Sequence, residues 1–448
     1  MTDQPASLSF PTPYAADERQ STREIAATLR DNALAGLPPS AFEDMAVGRS
    51  FMGRRQIILN DPAAIRHVLI ENADNYGRTA AVYRLLDPVI GRGMLLADGD
   101  DWREQRRAAA PAFAPRAMGS IAGHIARGGE RMLADLRAAG GANIDLFAQF
   151  QLTTLEIAAA ALFSLDLGAE GPEVRAELQD YAAGVGRPTV LDFMLPRGWP
   201  VPRSFARWRF RRAWMAHMAR LVAARREAPG GARGDLFDMM AQQAHSERQL
   251  VEEVATVLVA GHETTAVALF WTCTMLAEMP AVQDEIAAEA ATFDLSSAGA
   301  AAALPALVYT RAVIDEALRL YPPAFSITRQ ARAADDAAGV AIPPAGVVLI
   351  VPWVLHRHVK LWSDPNRFDP GRFLPGAPPP ARFSYLPFGV GPRACIGAQF
   401  ALTEATIVLA QLLRAVRLEL ADDAPVLPLA AITLRPNRSP PFRLTPRI

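Results

Sequence analysis

The sequence predicts a mainly α-helical fold with a small β-rich region. Alanine-rich segments such as "REIAATLRDNAL", "AAIRHVLIENA" and "RRAWMAHMARLVAARREA" repeat apolar residues at the spacing that lays one stripe along a helix. Strand signals are few, the clearest being "RQIILN" early and "VVLIVPWVL" late, so a small sheet assembled from distant segments is expected. Half of the 448 residues are hydrophobic, enough to bury a large core.

The opening "MTDQPASLSFPTPYAADERQ" has no basic region followed by an apolar one, so neither a signal peptide nor a membrane anchor is expected, and a cytoplasmic location is. Gly/Pro/Ala-rich stretches at Ala228 to Gly234 and Leu374 to Pro380 read as loops, because the apolar pattern resumes after each. Residues 1–448 are therefore taken as a single domain with no fused reductase. A formal net charge of -1 with scattered arginines excludes the basic tract that nucleic acid would need. Two cysteines make no disulfide framework and agree with a reducing compartment.

Ser246 and Gln249 have the spacing of a capping box and start a long helix. Its stretch Val254 to Met275 is long enough to cross a bilayer, but His262 and Glu263 sit near the centre, where charge is most costly. No second span is expected, and a buried helix of a soluble protein is the better reading. Gly261, Thr264 and Thr265 weaken the helix there, which predicts a disrupted middle. An acid and an alcohol at such a place could pass protons to a bound ligand; a kinked core helix with a solvated acid is the alternative.

Further on, "TRAVIDEALRLYPP" is a helix stopped by Pro322 and Pro323, with Glu316 and Arg319 on one face. Alone this is a solvated pair. Arg372 in "FDPGRF" could join them in a buried network. Cys395, in "FGVGPRACIG", follows a turn-rich run and opens a helical segment, with Gly391 and Gly397 permitting close backbone approach and Arg393 adding positive charge. A helix N-terminus and a cation lower a thiol pKa, so a thiolate is expected. Cys273, among Trp271, Met275 and Leu276, reads as an inert core thiol. A cysteine hydrolase needs a histidine base in a motif, and a structural zinc needs several ligands; neither is present. A single axial thiolate to haem needs one cysteine, cations for the propionates and a large apolar cavity.

With these residues in view, the chain resembles the cytochrome P450 superfamily, of the soluble bacterial type. "DDWREQRR", "AGHETT", "EALR", "FDPGRF" and "FGVGPRACIG" stand in that family's order from Trp102 to Gly397. The resemblance implies the cytochrome P450 fold, with haem b between the long central helix and the cysteine-loop helix. It implies Cys395 as the axial ligand to iron, Phe388 and Gly397 close to it, and Trp102, Arg106, Arg329 and Arg393 on the propionates. Glu263 and Thr264 would be the catalytic acid and alcohol, and Glu316, Arg319 and Arg372 structural. By position in the family pattern, substrate would meet the loop Tyr76 to Leu95, Leu258, Ala260, Ala324, Phe325, Ile327 and Thr433, with Arg78 or Arg84 as a possible carboxylate anchor.

The activity implied is insertion of one atom of dioxygen into a hydrophobic substrate. Glutamate before Thr264 and the "LHRH" segment look like the fatty-acid and carotenoid hydroxylating branches. No flavin, nicotinamide or iron–sulfur segment is read in the chain, so electrons from NAD(P)H would arrive through ferredoxin reductase and a ferredoxin docked near Arg103 and Arg107. A peroxide-driven haem-thiolate enzyme and a non-catalytic haem-binding protein are the alternatives.

Overall fold

The computed structural model describes residues 8–447 apart from 15–17, 19, 20, 52, 141, 142, 229 and 230, so most of the segment read for a leader lies outside the described residues. Helices dominate. The long helix Glu247–Leu276 packs along Leu146–Phe163, and Ala398–Ala415 packs against Met118–Ala138, Pro280–Ala291 and Val308–Leu320. Two local devices set the first pair. Ser246 caps the long helix, its hydroxyl accepting from the Gln249 N–H at 3.2 Å, and Asp145 caps its neighbour by accepting from the Ala148 N–H at 2.9 Å. Where the two cross, the Thr154 hydroxyl donates to the His262 carbonyl at 2.8 Å.

Five strands form one sheet in the spatial order Ala46–Phe51, Arg54–Leu59, Val347–Ile350, Ile327–Ala331 and Tyr76–Gly77. The two runs read as strands are parallel neighbours, with Ile57 opposite Val348. The later run ends sooner than expected: Pro352 starts the short helix Pro352–Leu355, because proline suits a first helical turn and cannot donate to a ladder. Three two-stranded ribbons complete the strands, of which Pro428–Ala430 with Leu434–Pro436 lies nearest the centre of the long helix, the Trp271 indole donating to the Leu434 carbonyl at 2.7 Å.

Leu146–Phe163 was not expected as a candidate span, yet it and Glu247–Leu276 are both long and apolar enough to cross a membrane. Their apolar windows are 67% and 78% buried inside the protein, as in helices that form a core. Cys273 is at 0% exposure, and burial pushes its thiol far up.

Glu316 and Arg319 are not solvated. Both are fully buried, joined by two bonds of 2.6 and 2.7 Å, and Arg372 Nε stands 3.5 Å from Glu316. Arg319 also donates to the carbonyls of His356, Pro365 and Arg367, which ties the helix Val308–Leu320 to the segment that leads to the cysteine loop.

Candidate active site

Burial along the long helix marks a cavity. From Leu250 onward almost every residue is buried, yet Ala260 is exposed and Gly261 and Thr264 are half-buried. Residues one and four apart share a helix face, so these three border an interior opening. Leu258 stands about 200° round the helix from Ala260. It is at 0% exposure in the apolar core, so its assignment to substrate is corrected.

The expected disruption is absent, since Glu247–Leu276 is α-helical throughout. Thr264 Oγ1 donates to the Ala260 carbonyl at 2.9 Å, as Thr256 does to Glu252 and Thr272 to Ala268, each at 2.7 Å. The helix thus absorbs its hydroxyls through the carbonyl one turn back. An alanine methyl at Gly261 would meet only the Ala158 methyl at 3.7 Å, an ordinary contact.

Glu263 turns the other way. Its carboxylate accepts from Gln151 Nε2 at 3.1 Å, from Thr433 Oγ1 at 3.2 Å and from Arg435 Nε. Burial works to raise its pKa, but Arg435, His262 and Gln151 together hold the carboxyl below its ordinary range. Neither Gln151 nor Arg435 stands out in the sequence; both come from distant segments. Thr433, expected at the substrate, has its hydroxyl engaged by Glu263 instead.

The cysteine loop is shaped by backbone. Gly391 has φ +79°, and a Cβ there would come within 2.3 Å of the Leu69 carbonyl, so only glycine fits. At Gly397 a Cβ would meet nothing closer than Phe113 at 3.7 Å, so the close approach expected of both glycines is found within the protein at the first only. The Cys395 N–H donates to the Phe388 carbonyl at 2.8 Å and closes the loop. Cys395 lies two residues before Gly397, the cap of helix Ala398–Ala415, and its thiol is open to solvent though closely ringed by protein. Burial raises that thiol, against the Gly397 N–H and Arg106, which lower it.

Arginines gather beside this loop. Arg393 Cζ is 3.9 Å and Arg106 Cζ 5.9 Å from the Trp102 ring centroid. Asp98 Oδ1 accepts from Arg78 at 2.9 Å and from Arg393 at 3.0 Å, while among the described residues Arg329 donates to the carbonyl of Thr328 alone. Burial and the mutual repulsion of Arg78, Arg329 and Arg393 bring Arg329 and Arg393 down to about 10. Three guanidiniums share one carboxylate, leaving two positive charges uncompensated. Arg78 belongs to this cluster, not to a substrate anchor. Arg84 is corrected too: it donates to the carbonyls of Asp192, Leu195, Pro196 and Trp199.

Across the opening, Ala324 is exposed and Phe325 and Ile327 are half-buried, and Ile327 Cδ1 would touch a methyl on Gly389 at 3.7 Å. The donor set is one open thiol, two uncompensated cations and an apolar wall. It fits an iron porphyrin: Cys395 would hold the iron, and Arg78, Arg106, Arg329 and Arg393 with Trp102 would hold two carboxylates.

The cavity rim is fixed to the long helix by paired acids. Glu252 accepts from the Arg92 N–H at 3.0 Å and Glu253 from the Met94 N–H at 3.2 Å. Glu252 also pairs with Arg211 and Arg248, whereas buried Glu253 has no cation among the described residues, and burial pushes it up to about 7. The native state therefore holds this proton in a range where the unfolded chain has lost it. The stabilisation is full below the ordinary glutamate range and is lost as pH rises through about 7. Glu253→Gln is expected to be more stable than the parent at pH 8 by roughly 3 kcal/mol and close to it at pH 4.5, as read from melting curves. Parallel pH profiles for the two proteins would refute this.

A family model described as Cytochrome P450 matches residues 46–440. "Cyclooctatin synthase" of Streptomyces melanosporofaciens is 34% identical over 80% of this chain and 80% of its own length. "Protein LUTEIN DEFICIENT 5, chloroplastic" of Arabidopsis thaliana is 28% identical over 82% of this chain and 66% of its own. The crystal structure of a cytochrome P450 (CYP102L1) superposes with a TM-score of 0.80 at 25% identity, covering 98% of this chain and all of that one.

Proposed function

The chain belongs to the cytochrome P450 family and is a monooxygenase, and from that premise we propose that it oxidises a hydrophobic terpenoid, carotenoid-like or fatty-acid substrate in the cytoplasm, with NAD(P)H electrons delivered through ferredoxin reductase and ferredoxin. The incompletely buried apolar residues Ala260, beside Thr264 on the long helix, and Ala324, Phe325 and Ile327 are the observation that supports this substrate class. Relatives named for cyclooctatin and cyclooctat-9-en-7-ol agree with it.

In this reading the bound haem supplies dioxygen activation, and the protein supplies geometry and protons. Cys395 would hold the iron, Arg78, Arg106, Arg329 and Arg393 would hold the carboxylates of the group, and the apolar wall would hold the substrate by shape. Glu263, kept ionised by Arg435, is the group that takes protons from the solvent side, where Arg435 is 21% exposed. Thr264 presents its hydroxyl on the cavity side of the same turn.

The test is turnover of a candidate lipid panel by the holoprotein with ferredoxin and its reductase. Thr264→Ala is expected to lower product formed per dioxygen consumed at least about tenfold, while dioxygen consumption continues. Unchanged coupling in that variant, or equal turnover with peroxide and no ferredoxin, would favour a peroxide-driven enzyme.

A further inference from the structure

A second group of ligating side chains shares no residue with the haem or substrate sites. Helix Glu170–Ala183 carries Glu170, Glu173 and Glu177 on one face, and helix Ser204–Glu227 sets His217 against it. None of the three carboxylates has an arginine or lysine partner among the described residues, in a chain with 46 such cations for 47 acids. The helix dipole favours acids in a first turn, which accounts for Glu170 and Glu173 but not for Glu177 further in.

His217 is the decisive group. It is at 1% exposure, and the Trp214 ring meets it edge to face at 6.4 Å. Its Nε2 is 3.2 Å from a Glu170 oxygen, and its Nδ1 is 3.2 Å from a Glu177 oxygen. A neutral imidazole has a single N–H. With Nε2–H donated to Glu170, Nδ1 turns a bare lone pair onto the Glu177 carboxylate, which sets two acceptors against each other at a buried ring. A cation belongs between them. One oxygen each of Glu173 and Glu177 and one ring nitrogen of His217 lie within 4.8 Å of one another.

We propose that His217 Nδ1, Glu173 and Glu177 bind one zinc ion, with Glu170 orienting the imidazole from its other side. Imidazole with carboxylates is a donor set that zinc accepts, and a ligating histidine characteristically donates its remaining N–H to a carboxylate. Ligands held about 2 Å from one ion stand no more than about 4 Å apart, so rotation of two glutamate side chains closes the site without moving either helix. Glu173 is exposed and Glu177 half-buried, which gives the ion a way in and leaves room for water as a fourth ligand. Calcium fits less well, because it takes about six to eight oxygens. The ion clasps helix Glu170–Ala183, which packs on Leu146–Phe163, to helix Ser204–Glu227, which packs on Glu247–Leu276.

The experiment is zinc titration of the chelator-treated holoprotein by calorimetry, with melting curves and zinc X-ray absorption. A single equivalent is expected to bind in the micromolar range or tighter and to raise the melting temperature. Its absorption spectrum should show nitrogen and oxygen neighbours with no sulfur, which separates this site from Cys273 and Cys395. Glu173→Gln and Glu177→Gln should each bind that equivalent at least tenfold more weakly. Glu173→Gln should keep the parent's metal-free melting temperature, since that side chain is exposed, so its loss of zinc is not a loss of fold. No zinc equivalent in the parent, a sulfur neighbour, or undiminished binding by either glutamine variant would overturn the proposal. So would a melting temperature that follows pH but ignores zinc, which would make the cation between His217 and Glu177 a proton.

Discussion

Replacing Cys395 by serine is expected to remove the strongly red-shifted Soret band of the reduced, carbon monoxide-bound protein and to take monooxygenase turnover below detection. No other thiol can substitute, because Cys273 is fully buried on the long helix and its pKa is driven far up. A serine hydroxyl stays protonated and pushes little electron density onto iron. The fold should survive, since the loop is closed by the backbone bond from Cys395 to Phe388 and by the positive φ of Gly391, neither of which uses the thiol. A variant that kept the band would mean that Cys395 is not the iron ligand, and the assignment of the arginine cluster to its carboxylates would fall with it.

The second large effect is structural. Arg319→Ala leaves the Glu316 carboxylate buried without its bidentate partner and frees three carbonyls, those of His356, Pro365 and Arg367. Breaking a buried ion pair from one side costs about 3–5 kcal/mol, a large part of the stability of most domains. The variant is expected to lose most of its soluble yield and to melt well below the parent. Arg319→Lys should recover little, because an ammonium cannot fork onto both oxygens while reaching the carbonyls. A melting temperature within a degree of the parent would show that the network contributes little.

Much of this site could be read before any coordinates, and for a physical reason. Cys395 and the Gly261–Thr264 turn violate local preference: a lone thiol among glycines, an acid and hydroxyls in an apolar helix. Such conflicts are visible residue by residue. What stayed hidden depends on direction and on distant neighbours. Leu258 is two residues from an open face yet points into the core, and the periodicity that predicts the helix does not say which face has the opening. Arg78, Gln151 and Arg435 acquire their places only when segments far apart in sequence meet. The helix runs on through Thr264, against local propensity, because a threonine that weakens an isolated helix is satisfied here by the carbonyl of Ala260. In helix Leu146–Phe163 the polar residues Gln151, Thr153 and Thr154 interrupt the apolar run, and all three are buried.

Arg84 has a mechanical meaning beyond its hydrogen bonds. Its guanidinium rivets the helix Ala80–Ile90, on the cavity rim, to four carbonyls of the segment 192–199, on the outer surface. A rivet transmits load in both directions. The helix Ala80–Ile90 and the segment 192–199 are therefore joined through one side chain, and Arg84→Ala would uncouple them.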